Sequence, residues 1–294
     1  MSFTASQEIP YLCKLINYSN ILAKKKTIFY DAFGHWYFIK RILIFIFGIV
    51  SYRRYNGFNK LHISGTEHLK NLPETNVLIV SNHQTFFADV FAMYHVICSV
   101  QNGYENSIHN PIYLLNPAID MYYVAAKETM NKGILTKIFA YTGAITVKRS
   151  WREAGKNVNR KVDMSEIDNI KKALDHGWVI TFPQGTTKAF SPGRKGTASL
   201  ILETKPIVIP VVIDGFRRSF DKKGLVVKKT GVQQSMRFKP PLDIDYENDN
   251  KNTLIVKIMD AIEQSEKFLK VEPLTTEQQN RQYSQKKSKP RTFY

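Results

Sequence analysis

The chain has 294 residues without a Pro/Gly/Ser-rich linker in its middle, which favours one main domain with appendages over two separate cores. Hydrophobic residues at 43% and charged residues at 23% exclude disordered, collagen-like and coiled-coil classes. A formal charge of +17, from 42 Lys and Arg against 25 Asp and Glu, creates a field that attracts nucleic acid, an anionic bilayer or phosphorylated ligands alike.

The first 20 residues lack the basic start, apolar run and small-residue cleavage site of a signal peptide. Lys24, Lys25 and Lys26 then precede the segment 36–52, WYFIKRILIFIFGIVSY, whose apolar run at 42–50 is flanked by Lys40/Arg41 and Arg53/Arg54. Nine apolar residues cannot cross roughly 30 Å of hydrocarbon, which takes about 20 in helical form. The expectation is a helix lying in the interface, with aromatics at headgroup depth and cations on lipid phosphates; a buried core helix is the alternative.

Beyond it, 59–65 reads as a short strand with a turn, 77–80 as an apolar strand and 86–97 as a helix. A strand at 122–126, a helix at 134–141, a strand at 144–147 and a helix at 164–174 follow. Next come a strand at 179–182, a helix at 197–203 and an apolar strand at 207–213 broken by Pro210. Short strands fill 225–238, and 252–269 has the spacing of an amphipathic helix. This alternation predicts an α/β fold, a layered mixed sheet flanked by helices. The expected organisation is an N-terminal membrane-associated segment at 1–58, an α/β domain at 59–271 and a flexible basic tail at 272–294, which ends QKKSKPRTFY. Cys13 and Cys98 lie far apart without metal-ligand spacing, so neither a disulfide framework nor a zinc site is expected, and a reducing compartment fits.

The strongest local signal is VLIVSNHQTFFADV, where an apolar strand delivers Asn82 and His83 to its carboxyl end and Asp89 follows at the start of a helix. Active sites of α/β sheets lie at that edge. A neutral imidazole can accept a proton from a hydroxyl, and a carboxylate on its other nitrogen fixes the tautomer and stabilises the imidazolium. No Ser or Cys with a nucleophile signature accompanies them, so the simplest chemistry is direct attack of a substrate alcohol on a bound acyl thioester. A structural histidine at a strand end is the bland alternative.

SNHQTFFAD, GAITVKR, FPQGTTK and PIVIPVV occur in this order between residues 61 and 215. Together they resemble the four blocks of the glycerolipid acyltransferase family, which includes bacterial lysophosphatidic acid (1-acylglycerol-3-phosphate) acyltransferases. The resemblance implies an α/β acyltransferase domain behind an N-terminal membrane-binding element. It makes His83 the base, Asp89 its orienting partner and Asn82 a substrate neighbour. The family places four residues between His and Asp, whereas five intervene here and Ala88 holds the expected position. On a regular helix one extra residue turns a side chain by about 100°, so the loop before the helix must absorb an insertion or the carboxylate is displaced.

The second block makes Arg149 the candidate phosphate clamp, with Lys148 beside it and Lys127, in YVAAKETM, as a further phosphate ligand. A guanidinium binds phosphate oxygens bidentately. In the third block the family's FPEGTR becomes FPQGTTK: Gln184 replaces glutamate, Thr187 replaces arginine, and Lys188 is placed to supply the lost cation. Gly185 permits close backbone approach and Thr186 a hydrogen bond to substrate. The fourth block reads as a core strand flanking an acyl pocket, and Lys195 with Gly196 matches a basic-glycine step downstream of the third.

The expected function is O-acyl transfer, without a metal or other cofactor, from acyl-CoA or acyl-ACP to a lysophospholipid acceptor, with 1-acylglycerol-3-phosphate favoured. Glycerol 3-phosphate, a lyso-aminolipid acceptor, or a non-catalytic lipid-binding role stand as alternatives. Expected partners are the acyl carrier protein or coenzyme A thioester and an anionic membrane surface, at the cytoplasmic face of the cell membrane in peripheral or monotopic fashion. Nucleic acid is not expected, because the basic residues are spread along the chain without a recognition motif.

Overall fold

The computed structural model describes residues 29–130, 133–148, 152–153, 156–157 and 164–269. The Lys24–Lys26 cluster, Cys13, Arg149 and the basic tail lie outside the described residues. In chain order the main elements are α1 (Tyr37–Tyr55), β1 (Lys60–Ser64), β2 (Val77–Ser81), α2 (Ala88–Gln101), β3 (Met121–Ala126), α3 (Lys127–Met130), α4 (Ile134–Tyr141) and β4 (Ala144–Val147). After a short antiparallel pairing of Arg152–Glu153 with Lys156–Asn157 come α5 (Met164–Leu174), β5 (Trp178–Thr181), α6 (Lys195–Thr204), β6 (Ile207–Asp214), α7 (Phe216–Ser219), β7 (Gln233–Phe238) and α8 (Lys251–Ala261).

The seven main strands form one mixed sheet in the order β1-β7-β6-β2-β5-β3-β4. All neighbours are parallel except β6 and β7, so the carboxyl ends of β2, β3, β4, β5 and β6 share one edge. The central strands are apolar on both faces, as a sheet covered by helices on both sides requires. Val77 and Ile79 join the core beneath α1 and α2, whereas Leu78 and Val80 join the core formed with α5, α6 and α8.

Pro210 does not break its strand: β6 runs unbroken from Ile207 to Asp214. The Pro210 carbonyl accepts from Lys239 N at 2.9 Å, so the proline nitrogen faces that same side, where β7 has ended, and the ladder with β2 loses no donor. The last helix is shorter than its apolar spacing suggests. Its start carries a capping box between Asn250 and Thr253, but it stops at Ala261, and Glu263 turns into the left-handed region at φ 57°.

α1 is a helix where the sequence places one, and it docks on the sheet domain. Lys40, Ile44, Gly48, Ser51 and Tyr55, spaced by three or four residues, are its buried face. The buried Lys40 ammonium lies 3.2 Å from Asp31 Oδ2 and 4.3 Å above the Tyr122 ring. Burial works to raise the Asp31 carboxyl, yet hydrogen bonds from His35 and the charge of Lys40 outweigh it and hold Asp31 well below the ordinary carboxylate value. The opposite face is apolar and open, with Phe38 at 70%, Ile46 at 45% and Val50 at 62% exposure. Among the described residues no helix is long and apolar enough to cross a membrane.

Candidate active site

β2 ends at Ser81 and the chain turns through residues 82–87 before α2 begins at Ala88. This turn absorbs the extra residue of the His–Asp spacing. Asp89, in the first turn of α2, folds back so that its Oδ2 lies 2.9 Å from His83 Nδ1. The same carboxylate accepts from Gln84 N at 2.6 Å, Thr85 N at 3.1 Å and Thr85 Oγ1 at 2.8 Å. The Asp89 side chain is fully buried and that of His83 is 13% exposed. Every group around Asp89 donates, so His83 Nδ1 carries a proton toward it and Nε2 is left with its lone pair. Phe182, at the end of β5, stacks on the imidazole with centroids 3.9 Å apart and planes at 22°. Among the described residues no serine or cysteine side chain hydrogen-bonds His83.

Asn82 is buried, at 4% exposure. Its Nδ2 donates to the Ile213 carbonyl and its Oδ1 accepts from Ile213 N, both at 2.8 Å, so the buried amide fastens the end of β2 to β6. Bonded to Ile213 through both ends of its amide, Asn82 positions the His83 turn.

Gln184 is likewise turned inward, at 1% exposure. Its Nε2 donates to the Ser191 carbonyl at 3.0 Å and to Gln264 Oε1 at 3.3 Å. Two acceptors face its Nε2, which an ionised glutamate could not serve, while its Oε1 is buried without a partner among the described residues. The departure from the family's glutamate is thus matched by Gln264 in the segment after α8. Gly185 adopts φ 62° in the turn that follows, half-buried Thr186 accepts from Lys188 N at 3.3 Å, and the exposed Lys188 side chain forms no hydrogen bond with the dyad among the described residues.

Lys127 begins α3 at the end of β3 and Lys148 follows β4; both are exposed at the sheet edge that carries His83. The Lys148 backbone N–H donates to Glu166 Oε1 at 2.9 Å, leaving its ammonium outward. Lys195 and Gly196 open α6, exposed and without contact to the dyad.

Two contributors escaped the sequence reading. Gln84 bridges elements, its Nε2 donating to the Ile213 carbonyl at 2.9 Å and its Oε1 accepting from Arg217 N at 3.0 Å. Phe182 opens the third block, but nothing in its local pattern announces a ring stack on a residue 99 positions away.

Between α1 and α2 runs a narrow apolar slot lined by Ile44, Phe47, Gly48, Phe87, Val90 and Phe91. His95 borders it, bonded through Nε2 to Ser51 Oγ at 2.9 Å and through Nδ1 to Tyr113 OH at 2.8 Å. Burial pushes His95 down to about 3, so the slot carries no histidine charge at neutral pH. Among the described residues no cluster of three or more His, Cys, Asp or Glu is placed to hold a metal ion.

No curated protein sequence matches the chain. Among solved structures, the crystal structure of the 1-acyl-sn-glycerophosphate (LPA) acyltransferase PlsC from Thermotoga maritima aligns with a TM-score of 0.48 and 17% identity, over 86% of this chain and 85% of that one. The model of the Acyltransferase family matches residues 60–214, more than half of the chain, from β1 to the end of β6. With the histidine–aspartate pair inside that span, the chain belongs to the acyltransferase family, and it is an enzyme of that class.

Proposed function

We propose that the protein transfers a fatty acyl group from a thioester, acyl-CoA or acyl-ACP, to the free hydroxyl of a lysophospholipid, 1-acylglycerol-3-phosphate above others, at an anionic membrane surface. The observation that carries this reading is the His83–Asp89 pair at the sheet edge, with no protein nucleophile bonded to the imidazole among the described residues. The acceptor hydroxyl attacks the thioester carbonyl carbon while His83 Nε2 takes its proton. Asp89 steadies the resulting imidazolium. Collapse of the tetrahedral intermediate re-forms the carbonyl and breaks the C–S bond, and the departing thiolate receives the proton from His83. The balance is one ester and one thiol, with no cofactor consumed.

The slot beneath α2 accords with an acyl chain in chemistry, being apolar and uncharged. Lys127 and Lys148, free of ion pairs among the described residues, suit the acceptor phosphate together with Arg149. The test is an acyl-transfer assay on the full chain, with both donors against 1-acylglycerol-3-phosphate, glycerol 3-phosphate and monoacylglycerol. Replacing both Lys127 and Lys148 by Ala is expected to raise KM for the phosphorylated acceptor about tenfold or more, since one charge-assisted bond contributes ~1.5–3 kcal/mol, with kcat little changed. Equal KM for monoacylglycerol and its phosphate in the unmodified enzyme would remove the acceptor assignment.

The open face of α1, continued by Ile112 and Leu115 at 57% and 65% exposure, suits insertion to headgroup depth, with Arg41, Arg53 and Arg54 on the same helix for lipid phosphates. The double variant Ile42→Glu with Ile46→Glu changes two half-open positions and leaves the buried face intact. Its binding to phosphatidylglycerol-containing vesicles, read by co-sedimentation, is expected to fall by about tenfold or more, given roughly 25 cal/mol per Å2 of apolar surface withheld plus two like charges at the bilayer. Unchanged sedimentation would place the membrane contact elsewhere.

A further inference from the structure

In the sheet order β6 flanks β2 on one side, while β5, β3 and β4, with Lys127 and Lys148, extend on the other. The β6 side has cations of its own. From within α7 onward the chain reads RRSFDKKGLVVKK over residues 217–229, six basic residues to one acid. The Phe220–Val227 bridge closes this segment into a hairpin.

The hairpin is fastened to the catalytic turn. Phe86 N donates to the Lys222 carbonyl at 3.2 Å and Phe87 N to the Lys223 carbonyl at 3.0 Å. Gly224, at φ +76°, packs so close that a Cβ would stand 2.6 Å from Ala88 N, so only glycine fits the contact. The junction leaves a cleft of about 230 Å3 lined by Gln84, Thr187, Arg217, Asp221, Lys222 and Lys228, with Phe220 beneath.

Of the cations of this cleft Arg217 is held in place and Lys222 lies over the Phe86 ring, 6.0 Å from its centroid. Arg217 is held by its backbone N–H on Gln84 Oε1 and by its guanidinium on the Thr187 carbonyl, which leaves the other guanidinium donors outward. Arg217, Lys222 and Lys228 form no ion pair among the described residues, whereas neighbouring Arg218 is paired with Asp214 at 2.8 Å. Asp221 is the one acid lining the cleft, and its oxygens accept from the backbone N–H groups of Lys223, Leu225 and Val226. Three cations against one internally bonded carboxylate, at the residue following His83, leave an excess of positive charge open to a ligand.

We propose that this cleft is a phosphate-binding subsite for a substrate of the acyl transfer, a proposal that rests on the reading given above. A phosphate offers planar guanidinium and point-charge ammonium donors the acceptors they need. Two sources share that chemistry: the headgroup of the acceptor, and the phosphate of the pantetheine arm that acyl-CoA and acyl-ACP have in common. Both substrates carry phosphate, and the sheet edge holds cations on both sides of His83.

The test is the double variant Arg217→Ala with Lys228→Ala in the full chain, with KM measured separately for acceptor and donor and with inorganic phosphate titrated calorimetrically. One KM is expected to rise by about tenfold or more while kcat stays within about twofold, and phosphate affinity to fall by a similar factor, as loss of charge-assisted bonds requires. A rise in the acceptor KM assigns the headgroup, and a rise in the donor KM assigns the pantetheine arm. Unchanged KM values together with unchanged phosphate affinity overturn the subsite. Should the unmodified enzyme transfer no acyl group to any acceptor, the functional reading fails, and the phosphate titration still decides the cleft. Arg217→Lys with Lys228→Arg, which preserves charge, is expected to recover most of the lost phosphate affinity.

Discussion

His83→Ala is expected to lower kcat for acyl transfer by about 10²–10⁴ or more, the usual contribution of a positioned general base. Among the described residues the His83 side chain hydrogen-bonds Asp89 alone, and the buried Asp89 carboxylate keeps its donors from Gln84 and Thr85, so the turn stays fastened without the imidazole. Circular dichroism and the melting temperature should therefore stay close to those of the parent enzyme while turnover disappears. Turnover at the parent rate would show that another group takes the proton and that the mechanism above is wrong.

Asp89→Asn is expected to cost both rate and stability. The carboxylate is surrounded by donors from His83, Gln84 and Thr85, and an amide can meet only part of that set. With the amide NH2 toward His83, the imidazole must accept at Nδ1 and carry its proton on Nε2, the nitrogen that has to act as base. The expected fall in kcat/KM is on the order of 10²–10⁴, as for other bases held in the wrong tautomer. A buried donor left without its acceptor costs about 1–3 kcal/mol, which for a domain of this size lowers the melting temperature by roughly 2–4 °C per kcal/mol. An Asp89→Asn enzyme with parent activity would make the carboxylate dispensable and reduce the pair to a packing contact.

Much of this was readable along the chain because the blocks are contiguous. The strand 144–147 and the helices 134–141 and 164–174 stand where apolar spacing and flanking glycines put them, and His83 was visible because an all-apolar strand runs straight into it. Asp89 was readable as a residue but not as a geometry, since whether five intervening residues reach depends on the path of a turn fixed by the Lys222 and Lys223 carbonyls far downstream. The same distance hid the roles of Asn82 and Gln184. The polar partners of Asn82 belong to Ile213, 131 positions away, and Gln184 is turned inward by Gln264, 80 positions away. Pro210 misled because proline's missing donor matters only on the side where a neighbouring strand continues. The sequence distinguished the apolar character of α1 but not its inward face, which a fully buried lysine anchors.

The ring of Phe182 lying flat on His83 has a stereochemical outcome. One π-face of the imidazole is covered by Phe182 and its Nδ1 edge is tied to Asp89, so the ring is held in one orientation and its in-plane Nε2 lone pair has a fixed direction. The ring cannot swivel to meet an alcohol, so the hydroxyl has to be delivered to one fixed point.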